Sequence, residues 1–327
     1  MWLAGTRGQT GLPANFRQTA PEIHGSLVSP LAWENAKVDR TPELKFVGER
    51  GEDLAVWEWP GEDPPFLLAH ATGFHGRCWD RIIRMFPERH CLAVDARGHG
   101  RSSQPEPPCH WRVFGRDLAA VAEHWDVRDA LGIGHSMGGH TTVQAAALRP
   151  HTYRALLLVD PTIFPLEHYG TEAPDASFTL RRRNTWASPD EMFERFQARP
   201  PFARWRPEIL RDYCDFGVLP RDGEFVLACP PAVEASIYQN SREPESNIYA
   251  EVAQLQHPVV VMRAGRERQV ANFNLSASPT APDLAARFAR GREVLLPEAS
   301  HFIPMEEPEM VAEEIRKLAA EFDATAP

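Results

Sequence analysis

The chain has 327 residues, of which 43% are apolar and 24% charged, the balance of an ordinary globular protein. Lys and Arg number 35 against 45 Asp and Glu, a net charge of −10, which excludes retention of nucleic acid or anionic lipid by bulk charge. No run approaches the length of a membrane span, the longest apolar stretches being of the kind Ala155-Leu-Leu-Leu-Val159.

Residues 1–40 are rich in Gly, Pro, Thr, Gln and Asn without period and read as an N-terminal arm. The first residues lack a basic segment followed by an apolar one. The five cysteines (Cys78, Cys91, Cys109, Cys214 and Cys229) are odd in number and show neither CxxC nor zinc spacing. We therefore expect a cytoplasmic protein with no metal site. From Leu44 onward, short apolar runs alternate with amphipathic stretches of helical length. Strands are predicted at 44–48, 53–59, 66–70, 91–95, 130–134, 154–160, 258–263 and 293–296, and helices at 78–86, 113–125, 136–149, 282–290 and 308–322. In the last helix Met310, Val311, Ile315, Leu318, Ala319 and Phe322 keep one apolar stripe. Continuous apolar strands alternating with helices predict an α/β fold, a mostly parallel sheet covered on both faces. The core is expected over 41–163 and 251–327. Between them, 164–250 loses the strand–helix rhythm and carries ten prolines and thirteen aromatics in 87 residues, against 9% aromatics for the whole chain. Such a segment reads as a cap, or lid. Within it Arg181-Arg182-Arg183 reads as a solvated face, because the cap holds more acids than bases.

Four segments carry chemistry. Gly134-His135-Ser136-Met137-Gly138-Gly139 follows an apolar strand and opens a helix that stops at Pro150. A G-x-S-x-G in that setting places a serine on a strained strand-to-helix turn with its hydroxyl presented, and glycines keep Cβ atoms out of the turn. The amide of Met137, at the helix N-terminus, is placed to donate to a developing oxyanion. His70-Ala-Thr-Gly-Phe-His-Gly76 follows the strand at 66–70, and the amide of Thr72, or of neighbouring Gly73, is the candidate second donor. His70 and His75 have no third ligand nearby and predict no metal. Asp95-Ala-Arg-Gly-His-Gly-Arg-Ser102 reads as a structural loop in which Asp95 and Arg97 hold each other and the backbone. His301 lies between the last strand and the final helix, at the carboxyl edge of the sheet, where it can take the Ser136 proton and pass it to a leaving group.

In order and spacing these four segments resemble the α/β-hydrolase fold family over roughly residues 42–325. The resemblance implies an eight-stranded, mostly parallel sheet with a helical cap inserted after the sixth strand. It further implies Ser136 as nucleophile, His301 as base, and no cofactor. Ser136 argues against the branches that carry Asp at that position. Two carboxylates compete to hold the His301 ring. Asp160 ends the sixth strand with a short, stiff side chain on a rigid element. Glu267 lies just past the seventh strand, where most relatives keep their acid, but it is flanked by Arg266 and Arg268. The leading expectation is a serine hydrolase that cleaves a carboxylic ester through an acyl-enzyme. The aromatic cap (Phe164, Tyr169, Phe178, Trp186, Phe193, Phe196, Phe202, Trp205) suggests an apolar or aromatic small-molecule substrate. A lactonase or carbon–carbon bond hydrolase uses the same triad. From a different class, a non-catalytic relative that binds a small ligand is the remaining reading.

Overall fold

A computed structural model of the chain describes residues 40–48, 53–265 and 276–323. All lie in the second of the two units, 1–37 and 38–327, into which the chain divides. The expected N-terminal arm, apart from Arg40, lies outside the described residues. The strands are β1 (Glu43–Val47), β2 (Leu54–Trp59), β3 (Glu62–Ala69), β4 (Arg89–Val94), β5 (Ala130–His135), β6 (Tyr153–Val159), β7 (Thr185–Trp186), β8 (Val218–Arg221), β9 (Glu224–Leu227), β10 (Pro258–Ala264) and β11 (Arg290–Leu296). Eight of them form one sheet in the order β1-β2-β4-β3-β5-β6-β10-β11. β2 runs antiparallel to both of its neighbours, and the remaining pairs are parallel. These are the eight strands expected from the apolar runs.

The expected helices form as Arg112–His124, Met137–Leu148 and Pro308–Asp323. Two others are shorter than periodicity suggests. The stretch 78–86 becomes a 3-10 turn, Gly76–Trp79, and one α turn, Asp80–Ile83, because Arg89 already opens β4. The stretch 282–290 holds only Leu284–Arg287, because Phe288 turns extended (φ −83°, ψ 143°) to feed β11.

Alternate residues of the central strands divide between two cores, as the pleat requires. Leu67, Ala69, Leu92, Val94, Leu156, Leu158, Val259 and Val261 pack with Leu118, Val121 and Val143 of the helices on one face. Phe66, Leu68, Cys91, Ala93, Leu157, Val159, Val260 and Met262 pack with Val311, Ile315 and Leu318 on the other. Burial of both faces is the reason these strands read as unbroken apolar runs. All five cysteines are free and buried. No helix among the described residues is long and apolar enough to cross a membrane.

Between β6 and β10 the chain makes helices Ser177–Leu180, Pro189–Phe196, Pro207–Phe216, Pro231–Gln239 and Tyr249–Gln254. Beside these helices it also makes a three-stranded antiparallel sheet, β7-β9-β8, which the sequence did not predict. β8 and β9 join through Asp222-Gly223, both at positive φ (52° and 85°). That is the geometry a two-residue hairpin demands, and Asp-Gly is its sequence signal. Four-residue strands are too short for alternation to reveal the rest. The prolines that punctuate this segment are largely helix starts, with Pro189, Pro207 and Pro231 each opening a helix. Trp186, Met192, Trp205, Ile209, Leu210 and Tyr213 give the insertion its own core, together with Phe74 and Phe302.

The loop after β4 departs from expectation. Asp95 is fully buried, and its carboxylate accepts from the Gly76 amide (2.7 Å), the Arg101 amide (2.9 Å) and the Trp57 indole N–H (3.2 Å). Three donors occupy the carboxylate, so Arg97 pairs elsewhere, bidentate with Asp117 at 2.9 Å for both bonds. Asp95→Ala leaves three buried N–H groups unpaired, at about 1–3 kcal/mol each. The expected loss is at least about 3 kcal/mol in urea unfolding; a loss below about 1 kcal/mol would show that the loop does not depend on this carboxylate.

Candidate active site

Ser136 sits between β5 and helix Met137–Leu148 with φ 57° and ψ −117°, a conformation held only where the surroundings over-determine it. Its amide donates to Val159 O (3.0 Å), and its carbonyl accepts from the Thr162 amide (2.9 Å), which ties the turn to the exit of β6. A Cβ at Gly138 would stand 2.1 Å from Ala69 O, and one at Gly134 would stand 2.4 Å from Gly138 O. Both positions therefore require glycine.

Ser136 Oγ lies 2.9 Å from His301 Nε2, and His301 Nδ1 lies 2.7 Å from Asp160 Oδ2. Asp160 follows β6, is fully buried, and adopts a left-handed backbone (φ 43°) although it is not glycine. Its second oxygen accepts from the Ala264 amide (3.0 Å), Ser278 Oγ (2.6 Å) and Thr280 Oγ1 (3.2 Å). A carboxylate at Nδ1 assigns the ring proton to that nitrogen, which leaves the Nε2 lone pair facing the serine hydroxyl. The His301 loop is held from below, where His135 Nε2 donates to His301 O (2.8 Å). Burial keeps His135 well below the ordinary histidine pKa, hence neutral. Glu267 lies outside the described residues.

The loop after β3 is set by two neutral histidines. The Ala96 amide donates to His70 Nε2 (2.9 Å), so His70 Nδ1–H donates to Ala71 O (2.8 Å). The Gly73 amide donates to His99 Nε2 (2.9 Å), and His99 Nδ1–H donates to Arg97 O (3.1 Å). Burial pushes the pKa of His70 down to about 4 and that of His99 to about 3. With the Gly73 amide engaged, the amides of Thr72 and Met137 remain, and neither donates to an acceptor among the described residues. No three His, Cys, Asp or Glu side chains among the described residues gather as a metal requires.

Sequence reasoning missed the supporting hydroxyls. Thr162 Oγ1 stands 3.0 Å from Ser136 Oγ, and Ser278 and Thr280 hold Asp160 from the segment between β10 and β11. Only the hydroxyl-rich run Ser276-Ala-Ser-Pro-Thr280 hinted at them, and it has no meaning until its partner is known.

Ser136, Thr72 and His301 open into a cavity of about 360 Å³. Of the eight aromatics singled out in the sequence, Phe164, Phe178, Trp186, Phe196, Phe202 and Trp205 line it. Tyr169 instead accepts a hydrogen bond from the Phe164 amide, and Phe193 lies under Arg211. The arginine triplet is not a uniform solvated face. Arg182 points into the cavity, pairs with the buried carboxylate of Glu234 and donates to the Tyr213 hydroxyl (3.2 Å). A Cβ on Gly73 would lie 2.8 Å from Glu234 Oε1, so this ion pair packs directly against the loop that bears Thr72.

The model of the alpha/beta hydrolase family matches residues 66–314. A 2-(acetamidomethylene)succinate hydrolase of Mesorhizobium japonicum is 28% identical over 78% of this chain and 87% of its own length. A type I acyl-CoA thioesterase of Penicillium brevicompactum is 33% identical, over 38% of this chain and 29% of the thioesterase. Among solved structures, E-2-(acetamidomethylene)succinate hydrolase superposes with a TM-score of 0.66 at 21% identity, covering 84% of this chain and all of the other, which is a likeness of fold. Sheet order, strand-to-helix serine turn and family model agree, and the chain belongs to the alpha/beta hydrolase family.

Proposed function

We propose that the chain is a serine hydrolase that cleaves a carboxylic ester through an acyl-enzyme intermediate. The observation that carries this reading is the unbroken chain of hydrogen-bond distances from Ser136 Oγ to His301 (2.9 Å) and from His301 to Asp160 (2.7 Å). In this reading Ser136 Oγ attacks the carbonyl as its proton passes to His301 Nε2. Asp160 fixes the tautomer and stabilises the imidazolium. The Thr72 and Met137 amides, free of other acceptors, donate to the tetrahedral oxyanion. His301 then delivers its proton to the leaving alkoxide, and a water activated by the same nitrogen releases the acid. The insertion acts as a cap over the site, and its aromatic surface takes an apolar or aromatic acyl group of a small-molecule ester.

A panel of p-nitrophenyl esters, with a lactone and a vinylogous diketone beside it, tests both bond type and acyl preference. Each methylene buried against the aromatic wall is worth about 0.8 kcal/mol, roughly fourfold in kcat/KM. Hexanoate or benzoate is therefore expected to exceed acetate by at least about tenfold. A flat or reversed chain-length profile contradicts the apolar acyl site, and labelling of Ser136 by a fluorophosphonate is the direct check on the nucleophile.

A further inference from the structure

Four arginines line the cavity, in an insertion whose acids outnumber its bases: Arg182, Arg183, Arg195 and Arg199. Two of the four charges are spent within the protein. Arg182 is neutralised by buried Glu234, and Arg183 lies against Glu191, its Nη2 2.9 Å from Oε2. Arg195 and Arg199 make no direct ion pair with an acid among the described residues, and both are exposed; Arg195 acts on Glu191 only at longer range, and that carboxylate is already paired with Arg183. They stand four residues apart, at the end of helix Pro189–Phe196 and in the turn that continues it, where the Gln197 amide donates to Phe193 O (3.0 Å) and the Arg199 amide to Phe196 O (2.8 Å). Like charges at that spacing repel one another. The cavity thus runs from a buried serine, past aromatic rings, to two exposed arginines that no described acid pairs with directly.

We propose that Arg195 and Arg199 form an anion subsite at the mouth of this cavity. It takes a carboxylate or phosphate carried by the substrate at the end remote from the scissile carbonyl. Guanidinium groups bind both anions through paired, charge-assisted N–H···O bonds. The substrate class is then an amphiphilic ester or thioester with an apolar segment between the reacting carbonyl and a terminal anion. This rests on the ester-hydrolase reading for its chemistry, though not for the binding itself.

Two matched substrate pairs test the subsite and distinguish the source of the anion. On the acyl side, p-nitrophenyl hydrogen adipate is compared with p-nitrophenyl hexanoate. On the leaving-group side, hexanoyl-coenzyme A is compared with the uncharged N-acetylcysteamine thioester. The expected result is that one anionic member exceeds its neutral partner in kcat/KM by at least about tenfold, and that Arg195→Gln/Arg199→Gln brings that ratio to within about twofold of one. Sodium chloride at about 0.5 M is expected to compress the ratio in the parent protein, because both arginines are exposed. No preference in either pair overturns the proposal, as does a preference that survives the double substitution. Titration calorimetry of hexanedioate and of coenzyme A into the Ser136→Ala protein reads the subsite without turnover. Binding there that the two arginine substitutions abolish upholds the subsite even if ester cleavage fails, and binding of neither anion overturns it.

Discussion

Ser136→Ala is expected to lose at least about a thousandfold in turnover and to keep the fold, the signature of removing a triad nucleophile. The expectation of an intact fold follows from where Ser136 is held. Its amide bonds to Val159 O, and its carbonyl accepts from the amides of Gly139 and Thr162, all of which alanine retains. Among the described residues the hydroxyl hydrogen-bonds with His301 and Thr162. Some rate over water is expected to survive, because the Thr72 and Met137 amides and the cavity remain in place. Turnover, melting temperature and fluorophosphonate labelling are read together. Near-parental activity in a correctly folded variant, with contaminating esterase excluded, removes Ser136 from the chemistry.

Asp160→Asn is the second large effect, expected to lower turnover by about 10⁴. The asparagine oxygen can keep the Ala264, Ser278 and Thr280 donors on one side. That places the amide nitrogen against His301 Nδ1, where Asp160 now accepts at 2.7 Å. Two N–H groups cannot face each other, so the ring takes its proton on Nε2 instead, and the lone pair that must receive the serine proton is lost. Glu267→Gln is expected to cost less than about tenfold, since His301 already has its carboxylate partner in Asp160. Melting curves guard against misfolding. A severe loss in Glu267→Gln beside a mild one in Asp160→Asn, both with unchanged melting behaviour, would transfer the acid role to Glu267.

The segments most legible in the sequence are those whose meaning is local. The eight strands of the large sheet stand out because both of their faces are buried, which forces runs such as Leu156-Leu-Leu-Val159. The serine turn stands out because two glycines are required by main-chain approach at 2.1 Å and 2.4 Å, a constraint written into the residues themselves. Where meaning depends on a partner far along the chain, spacing is silent. Asp95 and Arg97 look like a pair and are not, because the Gly76 and Trp57 N–H groups reach the carboxylate from elements the local motif does not contain. Arg182 looks like one of three surface charges, yet it enters the cavity because Glu234, 52 residues on, offers a buried countercharge.

By itself, then, the sequence determined the sheet, the order of the loops along its carboxyl edge, and the serine and histidine that two of those loops present. Local periodicity and the exclusion of Cβ atoms act within a few residues, and they suffice for that. Which carboxylate stands 2.7 Å from His301, which amides find no acceptor among the described residues, and which two of four cavity arginines make a direct ion pair were decided only by the tertiary structure. Each of these is a distance between residues that only folding brings together, and hydrogen bonds and ion pairs lose their meaning beyond a few ångströms.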